Sequence, residues 1–309
     1  MQLGFVSGVL NDLGFDEVMA LAAREGFDCV EVMCWPPDGP DKKFGSVTHL
    51  DLTNLTPAMA DDILGVCDRH GVSISALGFY SVPLSADREQ AEAAIAYLHT
   101  LIDAAPLLRQ TLINTFVGAD YRLSMDENLK LYEQVWPDIV RHAEDQGVRI
   151  GIENCPVLNR NTWPFGVNLA HSPAVWRRMF DAIPSASLGL NYDPSHMAMQ
   201  LMDPIAPLRE FADRVLHVHA KDMRVDPDRL NDVGSLALPM DRSAAKIPGR
   251  GDIDWAALVA TLCETGYGGA VCVECEDADF GGPLPRRTQG LRIARDTLRP
   301  LIPNTGLRG

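Results

Sequence analysis

Four apolar runs of this sequence each end in a side chain that can hold a metal ion or move a proton. RIGIE (149–153) ends in Glu153, LGLNYD (188–193) in Asp193, VLHVH (215–219) in His219 and AVCVE (270–274) in Glu274. If these runs are strands, residues two apart share a face. Gly151 then lies beside Glu153, Gly189 and Asn191 beside Asp193, His217 beside His219, and Cys272 beside Glu274. The opposite faces carry Ile150, Ile152, Leu188, Leu190, Tyr192, Leu216, Val218, Val271 and Val273. Convergent buried carboxylates raise one another's pKa and cannot all stay ionised without a partner. A divalent cation resolves that conflict, and three carboxylates with one imidazole suit Mn²⁺, Mg²⁺ or Co²⁺ better than a structural zinc. Taken singly, each residue has an ordinary reading. A strand-end Glu commonly caps a helix or meets water, and a histidine in VLHVH commonly sits satisfied in a core. In GLNYDPSHMAM (189–199), Asp193 reads equally well as a helix cap, with His196 three residues on as a surface residue. The same division on four consecutive strands favours one shared site.

The elements that must position these residues alternate along the whole chain. Further strand candidates are 3–6, 29–33, 73–79 and 111–115. Between strands, apolar residues recur at helical spacing, as in 15–25, 91–105 and 128–145, with Pro137 expected to kink or break the last of these. Ser124 is placed to cap the helix that follows it, and Asp252 or Asp254 to cap WAALVATLCE. REGF, RHGV, DQGV and ETGY read as helix–Gly–strand junctions, with Gly in the left-handed position. Eight strand–helix units in 309 residues are the count of a single-domain α/β fold, a (β/α)8 TIM barrel over 1–309. A doubly wound sheet is the alternative, but no GxGxxG follows the first strand. Long connections at 34–56, 154–172 and 223–252 follow strands two, five and seven, which puts all three on the C-terminal face of a barrel.

Composition narrows the classes of function. A formal charge of −15, with no Lys/Arg run, disfavours nucleic acid as a partner. No apolar stretch reaches the roughly 18–20 residues that span a bilayer, so no membrane role is expected. The N-terminus MQLGFVSGVL lacks a basic segment and a small-residue cleavage site, which makes the cytoplasm the expected location. Most of the seven cysteines lie in apolar runs, where reduced thiols rather than a disulfide framework are expected.

GIENCP, LNYDPSH, HVHAKD and VCVECED, together with GFDCVEVM and GRGDIDW, resemble the xylose isomerase-like TIM-barrel superfamily over nearly the whole chain. That superfamily includes sugar-phosphate isomerase/epimerase-like proteins, ketose 3-epimerases, inosose dehydratases, hydroxypyruvate isomerases and endonuclease IV. The resemblance puts the metal ligands on Glu153, Asp193, His219 and Glu274, the four positions selected by parity, and a substrate-contacting histidine on His196. Lys221 and Asp222 follow the metal histidine and are candidates for binding substrate oxygens or supporting the ligand. Arg250, on a long loop, is a further candidate for a substrate hydroxyl. Trp35, Lys43 and His49 after strand two, and Trp163 and Phe165 in NTWPFG, are candidates for the pocket wall. The chain departs from close relatives at Cys275, where IEHED is frequent, so the surroundings of Glu274 differ.

The resemblance implies one divalent ion, Mn²⁺ first and Mg²⁺, Co²⁺ or Zn²⁺ as alternatives, bound to two oxygens of a sugar or keto-sugar. It also implies proton abstraction α to a carbonyl, through a metal-bound enediolate, by Glu153 or Glu274 acting as catalytic base and acid. Returning the proton to the neighbouring carbon is isomerisation, and returning it to the other face of the same carbon is epimerisation. Loss of a β-substituent is elimination, so a lyase acting on a keto-inositol or a 3-keto glycoside is the runner-up. A nuclease of the endonuclease IV type needs more metal ligands and a basic rim, which eight scattered histidines and the acidic charge disfavour. Members of that superfamily often pair, so a homo-oligomer is also expected.

Overall fold

The computed structural model describes residues 1–37 and 47–303. Strands β1 (Gln2–Val6), β2 (Cys29–Met33), β3 (Ser73–Gly78), β4 (Leu112–Thr115), β5 (Arg149–Glu153), β6 (Leu188–Tyr192) and β7 (Val215–Ala220) alternate with helices. After β7 come the short strands β8 (Asp222–Val225) and β9 (Ser243–Lys246), then β10 (Ala270–Val273). Eight of the ten close into a barrel in the order β1-β10-β7-β6-β5-β4-β3-β2. Neighbouring barrel strands are parallel, down to the closing pair β1–β10 with Gln2 opposite Ala270. This is the (β/α)8 barrel expected from the alternation, and all eight barrel strands fall where the sequence places them.

Aliphatic residues form the layer between barrel and helices: Val30, Val32, Ile150, Ile152, Leu188, Leu190, Val218, Val271 and Val273 are buried there. Tyr192 joins them, its ring against Trp176 and its hydroxyl donating to the Pro204 carbonyl. Leu216 departs from the expected parity. The register passes from Leu190↔Val215 to Asn191↔His217, so Leu216 bulges out of the ladder. Gly189 makes room for it: a Cβ there would stand 2.3 Å from the Arg214 carbonyl oxygen and 2.7 Å from Leu216 Cγ.

The helix ends follow local chemistry. Ser124 caps the helix Met125–Asp145 in a reciprocal box with Glu127. Asp254 caps Trp255–Glu264, whereas Asp252 accepts from Val225 N–H instead. Gly26, Gly71, Gly147 and Gly266 all have positive φ at the four expected junctions. Pro137 does not break its helix, which runs from Met125 to Asp145. Buried Tyr132, Trp136, Ile139 and Val140 on either side hold that helix to the barrel, and the Trp136 indole donates to the Val117 carbonyl. The connection after β7 is not irregular throughout: β8 and β9 form an antiparallel hairpin, Asp222↔Lys246 to Val225↔Ser243. The seven cysteines are free, including Cys272 and Cys275, whose Cys-x-x-Cys spacing occurs once. Among the described residues, no helix is long and apolar enough to cross a membrane.

Candidate active site

The C-terminal ends of β5, β6, β7 and β10 bring Glu153, Asp193, His219 and Glu274 together, with one possible ligand atom from each within 4.8 Å of all the others. Glu153, the last residue of β5, is 3 % exposed. Its Oε1 lies 3.5 Å from His219 Nδ1 and 3.3 Å from His196 Nε2. Glu274 Oε2 stands 3.4 Å from the same His219 nitrogen. Strand pairing continues to this residue, whose N–H donates to the Ala220 carbonyl.

Asp193 fills both roles that its sequence context allowed. Oδ1 caps the helix Pro194–Met199 by accepting from Ser195 N–H at 2.8 Å. Oδ2 is buried without a well-formed hydrogen bond, 3.1 Å from Lys221 Nζ and 3.3 Å from His196 Nε2. Asn154 fixes the backbone here, accepting from Asp193 N–H at 2.7 Å and donating to its carbonyl at 2.8 Å.

His219 is oriented from behind. Its Nε2 lies 2.7 Å from Glu31 Oε2, while Nδ1 is buried with no hydrogen-bond partner and faces Glu153 and Glu274. A proton on Nε2 shared with Glu31 leaves the Nδ1 lone pair for a cation, the carboxylate–histidine–metal arrangement. Tyr80 donates its hydroxyl to Glu31, and Asn191 Nδ2 donates to Tyr80 at 2.9 Å. Below them, His217 Nδ1 meets Asn191 Oδ1 at 3.0 Å and its Nε2 meets Ser75 Oγ at 3.2 Å. Glu31, Tyr80, Asn154 and Asn191 thus form a support that the sequence reading did not assign. Glu31 carried a signal, being the single acid within the apolar run CVEVM and sharing a strand face with Cys29 and Met33.

Burial and opposite charges compete across this cluster. Burial opposes charge on His219, yet Glu31, Glu274 and Glu153 together hold its pKa well above the ordinary histidine value. Burial also opposes ionisation of Glu153, but His219 and a hydrogen bond from His196 keep it below the usual carboxylate range. Glu274 is likewise buried, and Lys221 and His219 outweigh that to bring it to about 2. Lys221 is itself buried but remains charged, its pKa raised by Asp193, Glu274 and Glu276. Its Nζ lies 2.7 Å from Glu274 Oε2 and 3.1 Å from Glu276 Oε2. Two buried ligand atoms without a well-formed hydrogen bond, Asp193 Oδ2 and His219 Nδ1, amid an oxygen-rich set fit a divalent ion held by these four residues.

The other candidates divide. His196 and Lys221 lie within the cluster. Asp222 does not: its carboxylate accepts from Met223, Gly249 and Ile253 N–H and from the Trp255 indole, tying together the loop after β7. Arg250 lies over the Phe280 ring, 3.9 Å from Asp277 and 3.7 Å from Asp279. His49 bonds Ser7 Oγ at 2.9 Å, and Trp35 packs edge-on against Phe79. Lys43 lies outside the described residues. Trp163 and Phe165 line a cavity of about 210 Å³ beside the loop that leaves Glu153.

An eight-stranded α/β barrel gathering three carboxylates and an imidazole at its C-terminal mouth defines a class of barrel protein. The chain belongs to the family described as xylose isomerase-like TIM barrel, whose model matches residues 19–301. It is 28% identical to the inosose dehydratase of Clostridium tetani over 49% of this chain and 51% of that protein. The crystal structure of D-psicose 3-epimerase with D-tagatose from Clostridium cellulolyticum H10 superposes with a TM-score of 0.72, 17% identity and coverage of 97% of this chain and 99% of that one. A structure of IOLI protein with a binding zinc atom gives a TM-score of 0.72 at 17% identity, covering 98% and 100%. At these identities the structural likeness concerns the fold.

Proposed function

We propose that this chain is a divalent-metal-dependent carbohydrate isomerase or epimerase that removes a proton from the carbon next to a carbonyl. The observation carrying this reading is the placement of Glu153 and Glu274, both held below the usual carboxylate range, 3.5 and 3.4 Å from His219 Nδ1 within one buried cluster. Glu153, Asp193, His219 and Glu274 would hold the ion, Mn²⁺ being the first choice for so oxygen-rich a set. A bound ion supplies electrophilic polarisation of the substrate carbonyl.

The protein's own groups do the rest. Glu153 and Glu274 approach from different strands, so one takes the proton and the other returns it to the neighbouring carbon or to the opposite face. As it stands, Glu274 is a weak base, because Lys221 and His219 bring it to about 2. When Lys221 turns from Glu274 to a substrate oxygen, that lowering is relieved and Glu274 becomes more basic with substrate in place. His196, in contact with both Glu153 and Asp193, donates to a substrate hydroxyl and holds Glu153 in position.

A second reading is elimination from the same carbanion-like state. It is favoured by the match to an inosose dehydratase and by Lys221 and His196, two buried cationic groups that can protonate a departing oxygen. A screen of ketoses and 3-keto sugars in D₂O with mass detection separates the two. A product of the substrate's composition carrying one deuterium is expected. Loss of water or of an aglycone assigns the lyase, and neither exchange nor product across the panel contradicts both. Glu153→Gln is expected to lower kcat by about 10²–10⁴-fold with an unchanged far-UV spectrum.

A further inference from the structure

Arg242, which directly precedes β9, is 4 % exposed, and among the described residues it has no carboxylate within 4.0 Å. Among the described residues its side chain makes one hydrogen bond, from Nη1 to the Met199 carbonyl at 3.1 Å, and its Nε is buried with no partner. A guanidinium carries five N–H donors, and a charge taken out of water costs several kcal/mol unless it is paired. The chain treats another buried arginine differently: Arg287, 7 % exposed, has Asp12 at 2.7 Å. The acid next to Arg242 in sequence, Asp241, is engaged with Arg160 at 2.7 Å.

Arg242 lines the cavity of about 210 Å³, together with Leu158, Trp163, Phe165, His171 and Gln200. It is the one Arg, Lys, Asp or Glu of that lining, and burial lowers the pKa of His171, keeping it neutral. At about 30 Å³ per water the space holds roughly seven waters, enough for a small organic group. An aromatic and proline wall with a single fork of donors suits a planar monoanion better than a phosphate, which recruits several cations. The cavity also adjoins the catalytic helix: Gln200 bonds the carbonyls of His171 and His196 at 3.0 and 2.8 Å.

We propose that this cavity is a carboxylate subsite, in which Arg242 pairs with the carboxylate of a small organic acid packed against Trp163 and Phe165. The anion is either the far end of a sugar acid whose other end meets the metal cluster, or a free acid acting behind the helix of His196. The subsite stands independently of the reading of the cluster.

The test is titration calorimetry at constant ionic strength with acetate, D-glucuronate and, as the uncharged control, D-glucose. Wild-type protein is expected to bind a carboxylate with quenching of tryptophan fluorescence, and R242Q to bind it at least about tenfold more weakly, the loss of a charge-assisted pair. F165D is the second variant, because Phe165 is 47 % exposed and its replacement removes little buried packing. It supplies an internal carboxylate and should abolish external binding even if R242Q fails to fold. D-glucuronate binding that weakens in E274Q while acetate binding does not marks the anion as part of the substrate, whereas binding of both unchanged in E274Q marks a free acid. No carboxylate binding by wild-type protein, or binding that persists in both R242Q and F165D, overturns the proposal.

Discussion

His219 depends on Glu31 as much as on the residues beside it. With Glu31 accepting from Nε2, Nδ1 is left to face Glu153 and Glu274. Replacing Glu31 by Gln frees the ring to take the other tautomer, and supporting groups of this kind typically change metal affinity by about 10–100-fold. Glu31→Gln is therefore expected to weaken ion binding by that factor, measured by competition with a fluorescent chelator, while the ligand set is intact. The four positions of the cluster were legible in the sequence because each ends an apolar run on the same face parity. Glu31 was not read, although the same rule applies to CVEVM, because it stands mid-strand rather than at a strand end. Tyr80 and Asn154 gave less to read, since their roles depend on which neighbours the barrel brings to them. Arg250 shows the converse: a loop arginine carries no parity, and the fold sets it beside Asp277 and Asp279.

At the scale of elements, the β6–β7 pair is where pattern and structure diverge. A strict alternation puts Leu216 against the helices, but the bulge lays it over Gly189. Gly189→Ala must displace the Arg214 backbone or Leu216, at a cost of about 1–3 kcal/mol of the kind caused by overpacking. Urea unfolding of the variant should show that loss, with reduced ion affinity because Asp193 and His219 sit on the two displaced strands. The hairpin β8–β9 was invisible in sequence, since four-residue strands with mixed burial give no periodic signal. The helix through Pro137 marks a different limit. The proline costs one backbone hydrogen bond, and the buried face formed by Tyr132, Trp136, Ile139 and Val140 outweighs it.

On the scale of the molecule, the ring must close between its first and last units. Besides the β1–β10 ladder, Arg292 of the last helix holds Glu25 at 2.6 and 2.8 Å, and Arg287 holds Asp12 at 2.7 Å. The hydrogen bond from Arg292 outweighs burial and depresses the Glu25 pKa. A depressed folded pKa means stabilisation present above the unfolded value, about 4.3, and lost as pH falls through the folded one. Arg292→Ala should therefore lower stability at neutral pH and flatten the acid limb of the stability–pH curve, as followed by thermal unfolding. The cluster at the barrel mouth follows the same linkage. His219 holds its proton above the ordinary histidine pKa, so an ion at Nδ1 must displace it, and affinity should weaken as pH falls.

That exchange is the most direct measure of the central claim. Metal-free protein titrated with Mn²⁺ and with Zn²⁺ by calorimetry, in two buffers of different protonation enthalpy, reports stoichiometry and proton release together. One ion per chain, bound with proton release and lost in both Glu153→Gln and Asp193→Asn, is the predicted result. Absence of binding, or binding that both variants retain, would contradict the assignment of Glu153, Asp193, His219 and Glu274 as a metal centre.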